Sequence, residues 1–99
     1  MILIAGPVFV QEGKMEIALE AVAKMVAASQ QEDGCVHYNF YIDRDKSDQL
    51  FIFEEWETQE ALDAHGKTEH MAAFRAVAGD FLTGPRALQR YMADSKEPL

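Results

Sequence analysis

Apolar positions recur along this chain at two different periods, and the period switches where turn residues stand. From Ile2 to Val10 both parities are apolar: Ile2, Ile4, Val8 and Val10 on one, Leu3, Ala5 and Phe9 on the other. This predicts a strand that is apolar on both faces. Pro7 lacks an N–H and predicts a sheet edge or a bulge near that point. Gln11-Glu12-Gly13 forms a turn. From about Lys14 to Gln31 the spacing becomes helical. Met15, Leu19, Val22, Met25 and Val26 recur at three- and four-residue steps and make one apolar stripe. Glu16, Glu20 and Lys24 lie on the other side, and Glu20 to Lys24 has the order that favours an ion pair. Gly34 then closes the segment.

Alternation returns at Cys35–Ile42, with Val36, Tyr38, Phe40 and Ile42 on one face and Cys35, His37, Asn39 and Tyr41 on the other. A charged hairpin loop, Asp43 to Asp48, leads to a third strand over Gln49–Trp56. There Leu50, Ile52, Glu54 and Trp56 alternate with Phe51, Phe53 and Glu55. Thr58 is a suitable N-cap for a short helix ending near His65, where Gly66 breaks it. Thr68 caps a second piece with Met71, Phe74, Ala78 and Phe81 on its buried side. Gly84-Pro85 stops the helical region, and a last strand runs from about Arg86 to Met92. The order β-α-β-β-α-β predicts an α+β, ferredoxin-like domain: a four-stranded antiparallel sheet with the helices on one face. Helices on one face leave the other open, yet three strands are apolar on both sides. A sheet that faced water there would be polar on that side. This predicts a homodimer, with a second copy's sheet packed on the first.

Length and charge narrow the classes. The chain has 99 residues and a net charge of −8. That length gives one domain over residues 1–99, with a loose polar tail from Ala93 to Leu99. The negative charge argues against nucleic acid and against anionic lipid as partners. No apolar run reaches the roughly 20 residues of a membrane span, and the apolar start lacks the basic flank of a signal peptide. Cys35 is the single cysteine. It cannot pair within the chain, so a cytoplasmic location is expected.

Few residues carry chemistry. His65 ends a helix, where a neutral imidazole can accept a phenolic proton, or a structural imidazole can hydrogen-bond to backbone. His70 stands in the first turn of the next helix and either lines the same pocket or caps the turn. His37, His65 and His70 lack metal-ligand spacing, and no Cys or carboxylate completes a pattern, so no metal is expected. Trp56 can stack on a planar ligand or fill a strand–helix junction. Glu54 shares its face, and a carboxylate on an apolar face needs a partner. A cross-subunit ion pair with Arg86 or Arg90 is the structural choice. Asn39 can orient a substrate oxygen or sit at an interface. Tyr38, Phe40, Phe51, Phe53, Phe74 and Met71 form core or pocket wall. Cys35 has no basic neighbour to lower its pKa and is a packing residue.

Several stretches together resemble a known family. Gly34-Cys35-Val36-His37-Tyr38, Phe53-Glu54-Glu55-Trp56, Ala61-Leu62-Asp63-Ala64-His65, and Glu69-His70-Met71 with Phe74 resemble the antibiotic biosynthesis monooxygenases, and among them the small quinol monooxygenases. The resemblance runs from about Ile4 to Met92. It implies a dimeric α+β barrel with a pocket between sheet and helices. It also implies oxidation of a small aromatic quinol by dioxygen, with no cofactor. On that basis His65, Asn39 and Trp56 are the catalytic candidates. His70, Phe74, Met71, Tyr38, Phe40 and Phe53 are the substrate-binding ones. The haem-degrading branch has an Asn on the first strand, and a Trp and a ligand His where this chain carries His65 and Arg75. The same fold also hosts an isomerase, so a non-oxidative isomerase or small-molecule binding protein is the alternative.

Overall fold

A computed structural model describes residues 1–99. Its elements are β1 (Ile2–Val10), α1 (Met15–Ser29), β2 (Cys35–Ile42), β3 (Gln49–Trp56), α2 (Gln59–His65), α3 (Glu69–Ala78), β4 (Leu82–Thr83) and β5 (Gln89–Met92). The ferredoxin-like α+β order is as predicted, with one short strand added. All pairing is antiparallel, in the order β2-β3-β1, and β4 and β5 share the far edge of β1. β5 pairs Ile2 to Ala5 and β4 pairs Phe9 and Val10, leaving a gap opposite Gly6 to Val8. The N–H of Val10 bonds toward β3 at Asp48, and that of Gln11 bonds the other way at Phe81. Alternation therefore turns the nitrogen of Pro7 into the gap, where its missing N–H removes no ladder bond.

Thr58 and Thr68 cap α2 and α3, their hydroxyls accepting from Ala61 N and Met71 N. α1 has no side-chain cap at Lys14, so its apolar face holds it. The helices cover one face of the sheet and form two clusters with it. One holds Ile2, Met25, Tyr38, Ile52 and Trp56. The other holds Val10, Ala18, Val22, Leu50 and Phe81. Gly6 is required by close approach: a Cβ there would lie 2.5 Å from the Ala87 carbonyl oxygen, so a side chain would push away the segment that crosses it. Gly34, at φ 80°, turns the chain between α1 and β2, and Ala61 of α2 packs where a Cβ would be.

Some local expectations are corrected. The register of β2 shifts between Cys35 and His37. That bulge moves Cys35 to the helix-covered face opposite Trp56 and leaves Val36 exposed, against simple alternation. Phe81 is buried, but it lies beyond α3 in the turn leading to β4. The final strand begins at Gln89, because residues 84–88 leave the sheet edge. Glu20 and Lys24 do not pair within the chain, whose ion pairs lie elsewhere. The tail has no regular structure but is tied down: Ala93 exchanges backbone hydrogen bonds with Met1, and Lys96 pairs with Glu55 at 2.6 Å. No helix is long and apolar enough to cross a membrane.

Candidate functional site

A cavity of about 700 Å³ lies between the sheet and the helices, within the range of small-molecule sites. Its floor is formed by buried Met25, Tyr38, Ile52, Glu54 and His65. Phe40, Met71 and Phe74 add apolar walls. The segment that leaves the sheet edge opposite Gly6 closes one side, with Arg86, Ala87 and Leu88.

His65 is placed by two caps acting on one short stretch. Thr68 donates its hydroxyl to the His65 carbonyl at 2.8 Å while capping α3. The end of α2 and the start of α3 are thereby clamped together. The imidazole is 4% exposed and packs against Trp56 at 4.8 Å and Tyr38 at 5.1 Å between ring centroids. Its Nδ1 lies 2.6 Å from Glu32 Oε2. The same oxygen lies 2.7 Å from His70 Nε2. An ionised carboxylate can only accept, so both imidazoles donate to it. That places a proton on Nδ1 of His65, so that in the neutral imidazole Nε2 holds the lone pair. Nε2 has no protein partner, yet no buried polar atom is left unsatisfied, so this nitrogen opens onto the cavity. A carboxylate behind an imidazole, with the far nitrogen free, is the arrangement of a general base.

Glu54 stands beside it on the floor. It is 5% exposed, and Trp56 Nε1 donates to its Oε1 at 2.9 Å. Its other oxygen has no partner and, by the same reasoning, meets the cavity. Burial pushes its pKa up to about 7; the Trp56 bond opposes this and the Glu32 charge adds to it. Within the chain Glu54 forms no ion pair, although Arg86 and Arg90 line the same cavity. Tyr38 donates its hydroxyl to Met25 Sδ at 2.9 Å, and burial, then the Glu54 charge, raise its pKa far above the phenol range. It is a wall, not an acid. Burial, then Glu32 and Glu54, push the Cys35 thiol up to about 11, so it is no nucleophile at neutral pH.

The candidates from sequence thus separate. His65, Tyr38, Phe40, Met71 and Phe74 meet at the cavity. Trp56 is fully buried behind His65, and His70 does not line the cavity but meets His65 through Glu32 and at 6.0 Å between ring centroids. Asn39 and Phe53 do not line the cavity. They are register partners on the sheet's other face, and Asn39 Oδ1 accepts from Phe40 N. His37 is on that face too, against Phe53 and bonded to Tyr41. The expectation that no carboxylate joins the histidines is corrected by Glu32. Glu32, His65 and His70 have ligand-type atoms within 4.8 Å of one another and form a set able to hold a metal ion. As they stand they are a hydrogen-bonded hub, and a metal would have to displace both ring protons. Sequence reasoning missed Glu32 because no spacing links a turn at residue 32 to helix ends at 65 and 70.

Fold and site together define a class: a small α+β domain with an apolar cavity and a carboxylate-backed histidine on its floor. The chain belongs to the antibiotic biosynthesis monooxygenase family, whose model matches residues 1–77. It is similar to a Mycobacterium tuberculosis protein named "Putative monooxygenase Rv0793", at 36% identity over 64 residues. That match takes in 65% of this chain and 62% of the relative, so the chain spans less than two thirds of it. The solved structure of Rv0793 superposes with a TM-score of 0.88 at 24% identity, covering 98% of each chain. A Bacteroides thetaiotaomicron protein, described as of unknown function and a possible oxidoreductase, has a TM-score of 0.81 at 30% identity, covering 91% of this chain and 94% of that one.

Proposed function

We propose that this protein is a cofactor-independent monooxygenase that oxidises a quinol or related dihydroxy-aromatic with dioxygen. The observation that carries the reading is the 2.6 Å contact between Glu32 and His65 Nδ1, which leaves Nε2 as a base facing an apolar cavity. The aromatic ring lies among Phe40, Met71 and Phe74, and Nε2 takes its phenolic proton. The anion passes one electron to dioxygen, and the caged radical pair recombines through a new C–O bond to a peroxide anion. That anion recovers the proton from His65, and the peroxide loses water. The substrate has then lost two hydrogens and gained one oxygen, and the other oxygen atom leaves as water. The chain supplies a dry, oriented pocket and one proton carrier. Trp56 and His70 act as positioning residues, Trp56 through ring contact and His70 through their shared carboxylate. Asn39 and Phe53 belong to the opposite face in this reading.

We also propose that a second copy covers that face. Tyr41 and Phe51 are 44% and 41% exposed there, beside His37 and Phe53. Burying them needs another sheet. Phe51→Glu is expected to turn the dimer into monomer in sedimentation equilibrium; a wild-type monomer would remove this part. The chemistry is tested by oxygen uptake of metal-free protein with a reduced naphthoquinone. Uptake above the spontaneous rate is expected, and His65→Ala should abolish the excess. No excess with the wild type would contradict the reading.

A further inference from the structure

The cavity inverts the charge of the chain. Of 17 acidic residues only Glu54 lines it, and of four arginines three do: Arg75, Arg86 and Arg90. A chain of net charge −8 has collected most of its guanidinium groups at one apolar hollow. None of the three is in an ion pair, although carboxylates are abundant. Arg75 donates to the Gly66 carbonyl at 2.8 Å and Arg90 to Gln59 Oε1 at 3.1 Å. Neutral partners hold these side chains in place and leave their charge uncompensated.

Position adds to composition. Tyr38, Glu54, Ile4 and Arg90 are successive register partners across β2, β3, β1 and β5, and so form one row on the cavity face. Strands are about 4.8 Å apart, so Arg90 and Glu54 flank Ile4 at roughly 10 Å between backbones. Glu54 is buried and the three arginines are exposed, which places the carboxyl on the floor and the cations at the mouth. A bound molecule with one negative end is repelled by the floor and attracted at the mouth.

We infer that the substrate is an aromatic acid, held with its carboxylate at Arg86 and Arg90 and its hydroxyl at His65, with Arg75 adding to the positive field of the mouth. The inference rests on the oxygenase reading for the hydroxyl end. The arginines act as specificity residues that set which way the ring enters. An uncharged quinol has no such instruction and samples both orientations.

The test is calorimetric titration with two air-stable probes of the same ring, 6-hydroxy-2-naphthoate, whose hydroxyl and carboxylate stand at opposite ends, and 2-naphthol, at low and at high ionic strength. Binding does not depend on turnover, so the two readings fail separately. The acid is expected to bind about tenfold more tightly than the naphthol, the effect of one or two charge-assisted hydrogen bonds. High salt and an Arg86→Gln/Arg90→Gln double variant should each shrink that preference to near parity. Both positions are exposed, and an unchanged thermal midpoint checks that the variant is folded. Equal affinities in the wild type, a preference that survives in the double variant, or no binding of either probe would each overturn the inference. Oxygen uptake with an uncharged quinol, but no preference for the acid, would leave the oxygenase and remove the anion site. A preference without uptake on any quinol would do the reverse.

Discussion

The two ends of the helix-covered face are built from different materials. Around Leu50 the side chains are hydrocarbon throughout: Val10, Ala18, Val22 and Phe81. Around Trp56 the same sheet and helices carry Tyr38, Glu54 and His65, each buried and each hydrogen-bonded. Both ends bury their side chains, but they use the burial differently. At the Leu50 end it supplies stability through apolar burial. At the Trp56 end it makes a few polar contacts strong and leaves two groups, His65 Nε2 and Glu54, facing a cavity. One fold thus keeps its hydrocarbon core and its buried polar groups in adjacent clusters.

That separation can be broken experimentally, and the largest effect should come at the chemical end. His65→Ala is expected to lower turnover by about 10²- to 10⁴-fold, the usual worth of a positioned base. Urea unfolding of the same variant should shift far less than its rate does. A comparable loss of stability would merge the two ends. Leu50→Ala is the opposite probe. It should lose about 2–5 kcal/mol in urea unfolding by leaving a cavity, while the KM of the residual folded enzyme stays near wild type.

Glu54→Gln sharpens the contrast through pH. An acid held at about 7 when folded, against 4.5 when free, keeps its proton better in the native state. Its stabilising influence is therefore complete below pH 4.5 and is lost as pH rises toward 7, by about 3 kcal/mol in all. Gln keeps an oxygen for Trp56 Nε1 but cannot ionise. The variant should lose this fall in stability and be more stable than the wild type above pH 7. Equal slopes in thermal melts across that range would contradict the buried, unpaired carboxyl. Thr68→Ala is the mildest probe. Loss of the cap should lower stability by about 1 kcal/mol. Because Thr68 also holds the His65 carbonyl, the rate should fall more than that stability change explains.

Much of this was legible before any coordinates. The strands follow from alternation and the helices from stripes at three- and four-residue steps. Thr58 and Thr68 mark their caps. The failures have local causes. A bulge after Cys35 reverses the side to which that residue points, and parity counting cannot see a bulge. Asn39 and Phe53 stand on the face away from the cavity, and strand parity does not say which face a helix will cover. Glu32 was invisible because its partners are 33 and 38 residues away, joined only by folding. Arg86 and Arg90 stood out only as ion-pair partners for Glu54, because spacing along the chain does not show that they share a cavity with Arg75 of α3.

The central claim is that the cavity oxygenates an aromatic ring without help from a cofactor. It is tested most directly by mass analysis of product formed under isotopically heavy dioxygen by metal-free protein. The account predicts one heavy oxygen in the product, at a yield that His65→Ala returns to the spontaneous level. Product of unchanged mass, or label that appears equally without the protein, would contradict it and leave an isomerase or a binding protein in its place.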